Sequence, residues 1–336
     1  MPTLPMLTAG AILACLVFYA LTGGADFGGG VWVLFNRGPR AKERKRLIIH
    51  AIGPVWETNH IWVIVAVVVL FTGFPRAFAI LSTALFLPVT LVLAGIIVRG
   101  SAFAFQAYHL HQERDAAWWG TAFAVSSLVT PFLLGVILGA ISSGTIRGTD
   151  LATLSGGTRS WLAPFPFLVG FLTLSAFSYL AAIYLILETG TTAIKEDFRR
   201  RGFFSLALVV LLSVAIPLLS SWGAPEFHRS LTESRWSLPL MAANALSAIG
   251  AGISLKRRSY RAARFCAAAQ VTLLLVGWGL AQSPYLVRPD LEIPSAAASP
   301  EMLRLMLIAL AAGAVLLFPA IIYLLRIFKK EALFGH

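Results

Sequence analysis

Long apolar stretches alternate with short polar connections along the whole chain. Nine of these stretches are long enough to cross a hydrocarbon core, which takes about 20 residues of α-helix. Two of them, 77–98 and 161–187, contain no charged residue. The pattern predicts an all-α polytopic membrane protein with nine transmembrane helices at 7–35, 52–74, 77–98, 116–141, 161–187, 203–223, 236–255, 265–287 and 303–326.

Basic residues mark one side of this predicted bundle. Most of the 27 Lys and Arg residues fall in every second connection and in the C-terminal tail, with Arg99 counted in the third connection. Basic loops stay in the cytoplasm, so the N-terminus is predicted outside and the C-terminus in the cytoplasm. An odd number of helices agrees with that orientation. The basic clusters lie at 37–46, 99–114, 195–201, 256–264 and 326–330.

Composition supports a membrane protein and excludes other classes. Of the 336 residues 58% are hydrophobic and 12% are charged, and the mean hydropathy is +0.80. Soluble domains average about 25% charged residues. The net charge of +12 does not indicate nucleic-acid binding, because the cations are spread over short loops and form no separate basic domain. Cys15 and Cys266 lie in apolar helices and are most simply packing residues.

The second apolar run carries an unusual polar group. Glu57, Asn59 and His60 occur together between Trp56 and Trp62. Polar side chains are expensive in lipid and are therefore paired within the protein or used in function. Two interpretations remain open, hydrogen bonding between helices and proton transfer from the cytoplasm.

A second buried acid, Asp26, lies in the first run. It precedes Arg37 by 11 positions and Glu57 follows Arg46 by 11 positions, so each lies up to roughly 16 Å inward from the basic connection. The two carboxyl groups are thus predicted at similar depth, and Glu57, Asp26, His60 and Asn59 are the candidates for a proton path.

The string GADFGGG around Asp26 is glycine-rich but follows no strand, so it does not fit a nucleotide-binding loop. Its glycines, with Trp56 and Trp62, are predicted to serve helix packing, including close contacts with a partner subunit. These glycines are Gly28, Gly29 and Gly30.

Histidine content limits the chemistry of this chain. Of six histidines only His60 lies well inside a predicted helix, whereas a haem with two histidine ligands needs two at depth. No metal site, no catalytic constellation and no tightly bound cofactor is predicted in this chain.

Three strings together resemble one known family. GADFGGG in the first helix, GPVWETNHIW in the second and GWGLAQSPYLVRPDLEI near the eighth are similar to subunit II of the cytochrome bd quinol oxidases. The resemblance implies one integral membrane domain over 1–336, with helices 1–4 (about 7–141) and 5–8 (about 161–287) as two four-helix bundles. Helix 9 (about 303–326) would be peripheral.

The resemblance also implies a function. The chain would be the non-haem subunit of a prokaryotic terminal oxidase of the respiratory chain in the cytoplasmic membrane. It would support a haem-bearing subunit I that carries haem b and haem d, oxidises quinol and reduces O₂ to water. A small single-helix subunit, a lipid and a structural quinone are further expected partners. Glu57 and Asp26 match acids that the family associates with proton uptake.

Two departures from the family pattern bear on that proton path. Family members often carry acids where this chain has Gly23 and Ala104. The alternatives are a secondary transporter, which would be expected to show broken helices in two corresponding halves, and a purely structural assembly subunit. Copurification with a haem-bearing partner and O₂ consumption with quinol would separate the three.

Overall fold

The chain is almost entirely helical. The computed structural model describes residues 3–53, 56–108 and 113–334, and their side chains except at 106–117, 322 and 324–334. The helices are α1 Leu4–Leu34, α2 Ala41–Ile52, α3 Trp56–Asn59, α4 Ile61–Gly73, α5 Pro75–Ala84, α6 Phe86–Tyr108, α7 Glu113–Ser142, α8 Pro164–Leu187, α9 Thr192–Gly223, α10 Pro225–Glu233, α11 Ser237–Lys256, α12 Tyr260–Gln282, α13 Ile293–Ala296 and α14 Pro300–Phe334.

The predicted fold class is confirmed. Within the described ranges, nine helical segments are long and apolar enough to cross a membrane. They are α1, α3 with α4, α6, α7, α8, α9, α11, α12 and α14. A 3₁₀ turn at Gly157–Ser160 and a two-stranded antiparallel hairpin, β1 Tyr285–Val287 and β2 Leu291–Glu292, complete the described structure.

Four spans differ clearly from their predicted bounds. The second is interrupted at His60, so α3 forms one short turn before α4. The third starts at Phe86 rather than 77 and continues to Tyr108, because α5 forms a separate helix before it. Residues 75–98 carry no charge apart from Arg76, so hydropathy alone gave no sign of the break at Leu85. The sixth begins at Thr192 rather than 203, and the eighth is Tyr260–Gln282 rather than 265–287, because residues 285–287 form β1.

The core lies where α1 and α8 pack together. Phe27 of α1 and Tyr179 of α8 are fully buried, and α7 and α12 pack against both helices. By contrast α14 contacts α1 and α4 along one side, and in its spanning segment, 300–321, Leu303 alone is buried. The division into two four-helix bundles stays a prediction, because α1 and α7 of the first group pack directly on α8 of the second.

Contacts between connections define two ends of the molecule. At the basic end, comprising residues 37–46, 195–201 and 256–264, Arg40 and Arg44 bind Asp197, and Arg258 lies 3.8 Å from Glu196. The hydrogen bonds that the Arg40 guanidinium donates to Asp197 raise the pKa of Arg40.

At the opposite end, Arg76 donates a hydrogen bond to the Thr149 carbonyl at 2.9 Å, and Arg147 lies 3.5 Å from Asp290. The side of the membrane that each end faces stays a prediction from the loop charges.

Candidate functional site

The turn that opens the second span separates its polar side chains. Successive helical residues are about 100° apart, so residues two positions apart point to nearly opposite sides. Accordingly Asn59 is buried against α1 whereas Glu57 is exposed on the outer surface of the chain. The His60 N–H donates to the Glu57 carbonyl at 3.2 Å, which links α3 to α4 across the interruption.

Asp26 lies in the interior and is held by this turn. The Asn59 side-chain amide donates a hydrogen bond to the Asp26 carboxylate, and both residues are only 7% exposed. Asp26 of α1 is therefore in direct contact with the turn at 56–60, and the similar depth of the two carboxyl groups in the membrane stays a prediction. Asn59 binds Asp26 but not Glu57. The two carboxyl groups therefore do not face each other, because one is buried and the other is exposed.

Arg99 also belongs to this interior group. Its predicted place in the third connection is therefore wrong. It lies within α6, nine residues before the end of that helix, and is 1% exposed. Its Nε donates to the Ser127 hydroxyl at 3.2 Å, and its guanidinium lies over the rings of Phe27 at 4.6 Å and Phe123 at 5.2 Å. The predicted third span ended before Arg99 because hydropathy does not show that aromatic rings surround this guanidinium in the folded chain.

Arg99 is the charged neighbour of Asp26, although the two form no ion pair within 4.0 Å among the described residues. Each instead has a neutral hydrogen-bond partner, Asn59 for the acid and Ser127 for the cation. The Nη2 of Arg99 is buried without a partner in the described part of the chain. We call Asp26, Asn59, Arg99 and Ser127 the interior charge cluster.

His60 lies beside this cluster in an aromatic surround. Its Nδ1 is 3.4 Å from the Tyr19 hydroxyl, and the rings of Tyr19, Phe27 and Trp56 have centroids 5.9, 6.1 and 6.4 Å from its own. The side chain is half-buried. Its ring therefore packs between aromatic residues of α1 and Trp56 of the turn that carries Glu57.

Glu57 has no hydrogen bond or ion pair from its carboxylate within the described residues. It is exposed on the outer surface of this chain, one residue into the spanning segment that begins at Trp56. An acid at such a position is costly against lipid hydrocarbon. Its partners therefore come from water, lipid headgroups or another subunit.

The glycines around Asp26 are packed within this chain. A Cβ on Gly28 would overlap the Phe177 carbonyl of α8, and one on Gly30 would overlap the Ser127 hydroxyl of α7. A Cβ on Gly29 would lie 2.9 Å from the Ile52 side chain of α2. The expectation that these three glycines contact a partner subunit is wrong, because helices of the same chain already cover them.

The two tryptophans of the polar turn pack in different directions. Trp62 is buried, stacks on Phe18 of α1 at 4.6 Å and lies 5.8 Å from Phe318 of α14, so it links three helices. Trp56 lies against Phe103 of α6, with ring centroids 5.7 Å apart. A Cβ on Gly100 would come within 2.9 Å of the Trp56 ring.

Gly23 and Ala104, the two positions where family members often carry acids, lie on α1 and α6. A side chain at Gly23 would meet the Tyr19 ring at 2.9 Å, so the space of that acid is occupied by tyrosine. Ala104 lies five residues after Arg99 on α6 and is half-buried. Within the described ranges, no group of three or more His, Cys, Asp or Glu could hold a metal ion.

Comparison with known proteins gives consistent matches. The sequence model of the family described as cytochrome bd terminal oxidase subunit II matches residues 4–328. A putative cytochrome bd menaquinol oxidase subunit II of Bacillus subtilis (strain 168) is 23% identical over 331 residues, covering 93% of this chain and 92% of the relative. The cytochrome bd-I ubiquinol oxidase subunit 2 of Escherichia coli (strain K12) is 28% identical over 210 residues, covering 62% of this chain and 54% of the relative.

A solved structure agrees with these sequence matches. A chain of the bd oxidase from Geobacillus thermodenitrificans aligns with a TM-score of 0.81 at 22% identity, covering 97% of this chain and 98% of that chain. This likeness shows that the two chains share a fold.

Proposed function

Because this chain belongs to the cytochrome bd terminal oxidase subunit II family, we propose that it is the subunit without haem and that haem b and haem d lie in its partner. The chain is subunit II of a quinol oxidase in the prokaryotic cytoplasmic membrane, and that identity implies a subunit I in the complex. The transporter alternative is not favoured.

The distribution of histidines supports the absence of haem. Among the described residues, His60 is the only histidine within a membrane-spanning segment. Its Nδ1 faces the Tyr19 hydroxyl. One imidazole does not fit a haem that takes two histidine ligands.

The first test is spectroscopic. We expect the chain expressed alone to show no stoichiometric haem absorbance in a reduced-minus-oxidised spectrum, and the complex with subunit I to show haem b and haem d. A b-type band from the isolated chain that is lost in His60→Phe would contradict the proposal and would identify His60 as the ligand.

The chain also contributes a proton-uptake residue to the complex, and Glu57 is that residue. The observation that carries this is the opposite placement of two side chains on one helical turn, with Glu57 on the surface and Asn59 on Asp26. A surface carboxyl group at this position can take protons from water at the basic end and pass them to the partner subunit. Asn59 fixes the turn through Asp26, and His60 packs behind it.

Asp26 has a different part in this proposal from Glu57. It is buried, lies near the Arg99 cation and accepts a hydrogen bond from Asn59. This hydrogen bond joins α1 to the short turn α3. Asp26 therefore positions the turn that carries Glu57, and the proton passes through Glu57.

The test compares two amide substitutions. Glu57→Gln keeps the size of the side chain but cannot release a proton, so we expect assembly and the haem spectrum to be retained while quinol-driven O₂ consumption falls by about tenfold or more. Glu188→Gln removes another exposed acid, at the end of α8, and serves as the matched control with unchanged turnover. Full turnover in a well-assembled Glu57→Gln complex would show that Glu57 is not on the proton path and would favour a purely structural subunit.

A further inference from the structure

A cleft opens at the basic end, apart from the interior charge cluster. It lies between the end of α1, the start of α2 and the first turns of α7, and its volume is about 290 Å³. Its lining includes the apolar residues Val33, Leu34 and Ala124 and the polar residue Asn36. Lys42 and Lys45 also line it. The cleft thus combines apolar side chains with two cations.

The two lysines differ from the neighbouring Arg40 and Arg44, which are held by an acid. Arg40, just before α2, and Arg44 within it bind Asp197 at 2.7 and 2.6 Å. Lys42 and Lys45 have no ion pair or side-chain hydrogen bond among the described side chains. They are three residues apart, so they lie on one face of α2. Their charge is therefore available to an anion in the cleft.

Neighbouring residues place this cleft at the level of the lipid headgroups. Trp118 opens a spanning segment, is 64% exposed and packs edge-on against Trp119 at 4.8 Å. Exposed tryptophans at the end of a span mark the membrane interface. Thr121, which lines the cleft, is less than one turn away. An anion bound by the lysines would therefore lie among phospholipid headgroups.

An exposed apolar stripe leads from the cleft toward the middle of the span. Thr121, Val125 and Val129 recur every four residues on α7, and all three are exposed in this chain. An acyl chain can lie along such a stripe, whereas a free anion would make no use of it. Basic pockets between membrane helices are typical binding sites for anionic headgroups.

We infer that the cleft binds the phosphate of an anionic membrane phospholipid through Lys42 and Lys45, with one acyl chain along the Thr121, Val125 and Val129 stripe. This site is separate from the proton path, and it holds whether or not Glu57 carries protons. Recognition depends on the negative charge of the headgroup and on the acyl chain together.

Lipid binding can be measured on the complex of this chain with subunit I by native mass spectrometry after delipidation in detergent. We expect phosphatidylglycerol to bind more tightly than phosphatidylcholine with the same acyl chains. Lys42→Gln/Lys45→Gln should lower the phosphatidylglycerol affinity roughly 30-fold, as loss of two charges near an anionic headgroup predicts. Lys256→Gln/Arg257→Gln removes two exposed charges from the same end outside the cleft and should change the affinity less than twofold.

A second variant tests the cleft without changing charge. Thr121→Phe fills the space while both lysines remain, and it should also weaken phosphatidylglycerol binding. Equal binding of the two lipids, or unchanged binding in both cleft variants, would overturn the inference. Displacement of the lipid by millimolar inorganic phosphate would show that the cleft takes a free anion and would overturn the lipid assignment. The haem spectrum of each complex reports whether it has assembled.

Discussion

Two regions of this molecule place an aspartate near arginine, but only one of them forms direct ion pairs. At the basic end, Asp197 accepts hydrogen bonds from Arg40 Nε at 2.9 Å, from Arg40 Nη2 at 2.7 Å and from Arg44 Nη1 at 2.6 Å. In the interior, Asp26 and Arg99 interact electrostatically but form no direct ion pair, and each is hydrogen-bonded to an amide or a hydroxyl group instead.

The comparison shows how the surroundings set the role of a charge pair. At the basic end, direct ion pairs join the first and fifth connections, and water can solvate either partner if a pair breaks. In the interior no water compensates a missing partner, and both charges depend on the same few neighbours. The interior charge cluster is therefore expected to be the more sensitive of the two to substitution, and the predictions below test this order.

The largest effect is expected for Arg99→Met. The substitution keeps most of the side-chain volume but leaves Asp26 buried without a neighbouring cation, and an uncompensated buried charge costs about 3–5 kcal/mol. We expect little assembled complex, or a strongly lowered thermal midpoint, measured by following the haem spectrum during heating.

A double-mutant cycle separates charge coupling from lost packing. In Asp26→Asn/Arg99→Met no unpaired charge remains, so the double variant should be more stable than the sum of the single effects by about 1 kcal/mol or more. Additive effects would show that Arg99 stabilises the fold only through its contacts with Phe27 and Phe123.

An intermediate effect is expected for Asp197→Asn. The Asp197 side chain is partly accessible while that of Arg44 is nearly buried, so water replaces only part of the lost charge-assisted hydrogen bonds. We expect a loss of about 1–2 kcal/mol in stability, measured by the same thermal scan. A loss equal to that of Arg99→Met would contradict the contrast between the two regions.

The smallest effect is expected for Glu196→Gln. Glu196 pairs with Arg199 at 2.6 Å and lies 3.8 Å from both Arg200 and Arg258, which are largely accessible. Accessible ion pairs contribute about 0–1 kcal/mol, and less at high salt. The thermal midpoint of this variant should match that of the unsubstituted complex in 0.5 M salt; a clear loss there would show that this network is not screened by solvent.

Sequence patterns and tertiary contacts contributed differently to the candidate site. Asp26, Asn59, His60 and Glu57 were found from the cost of polar groups in apolar runs. Arg99 was missed as a cluster member because a charge at the edge of an apolar window resembles the start of a loop. A signal was present in the apolar and aromatic residues that follow it, SAFAF at 101–105, which continue the helix.

The sequence by itself determined the all-α membrane fold, the nine spans and the membership of the family, because lipid requires long apolar helices and the three motifs are specific. Only the tertiary structure decided which polar groups meet. Asn59 faces Asp26 while Glu57 faces outward, and Gly28 to Gly30 contact helices of the same chain. Hydropathy records depth along the membrane normal, whereas the side to which a residue points depends on how neighbouring helices rotate and pack.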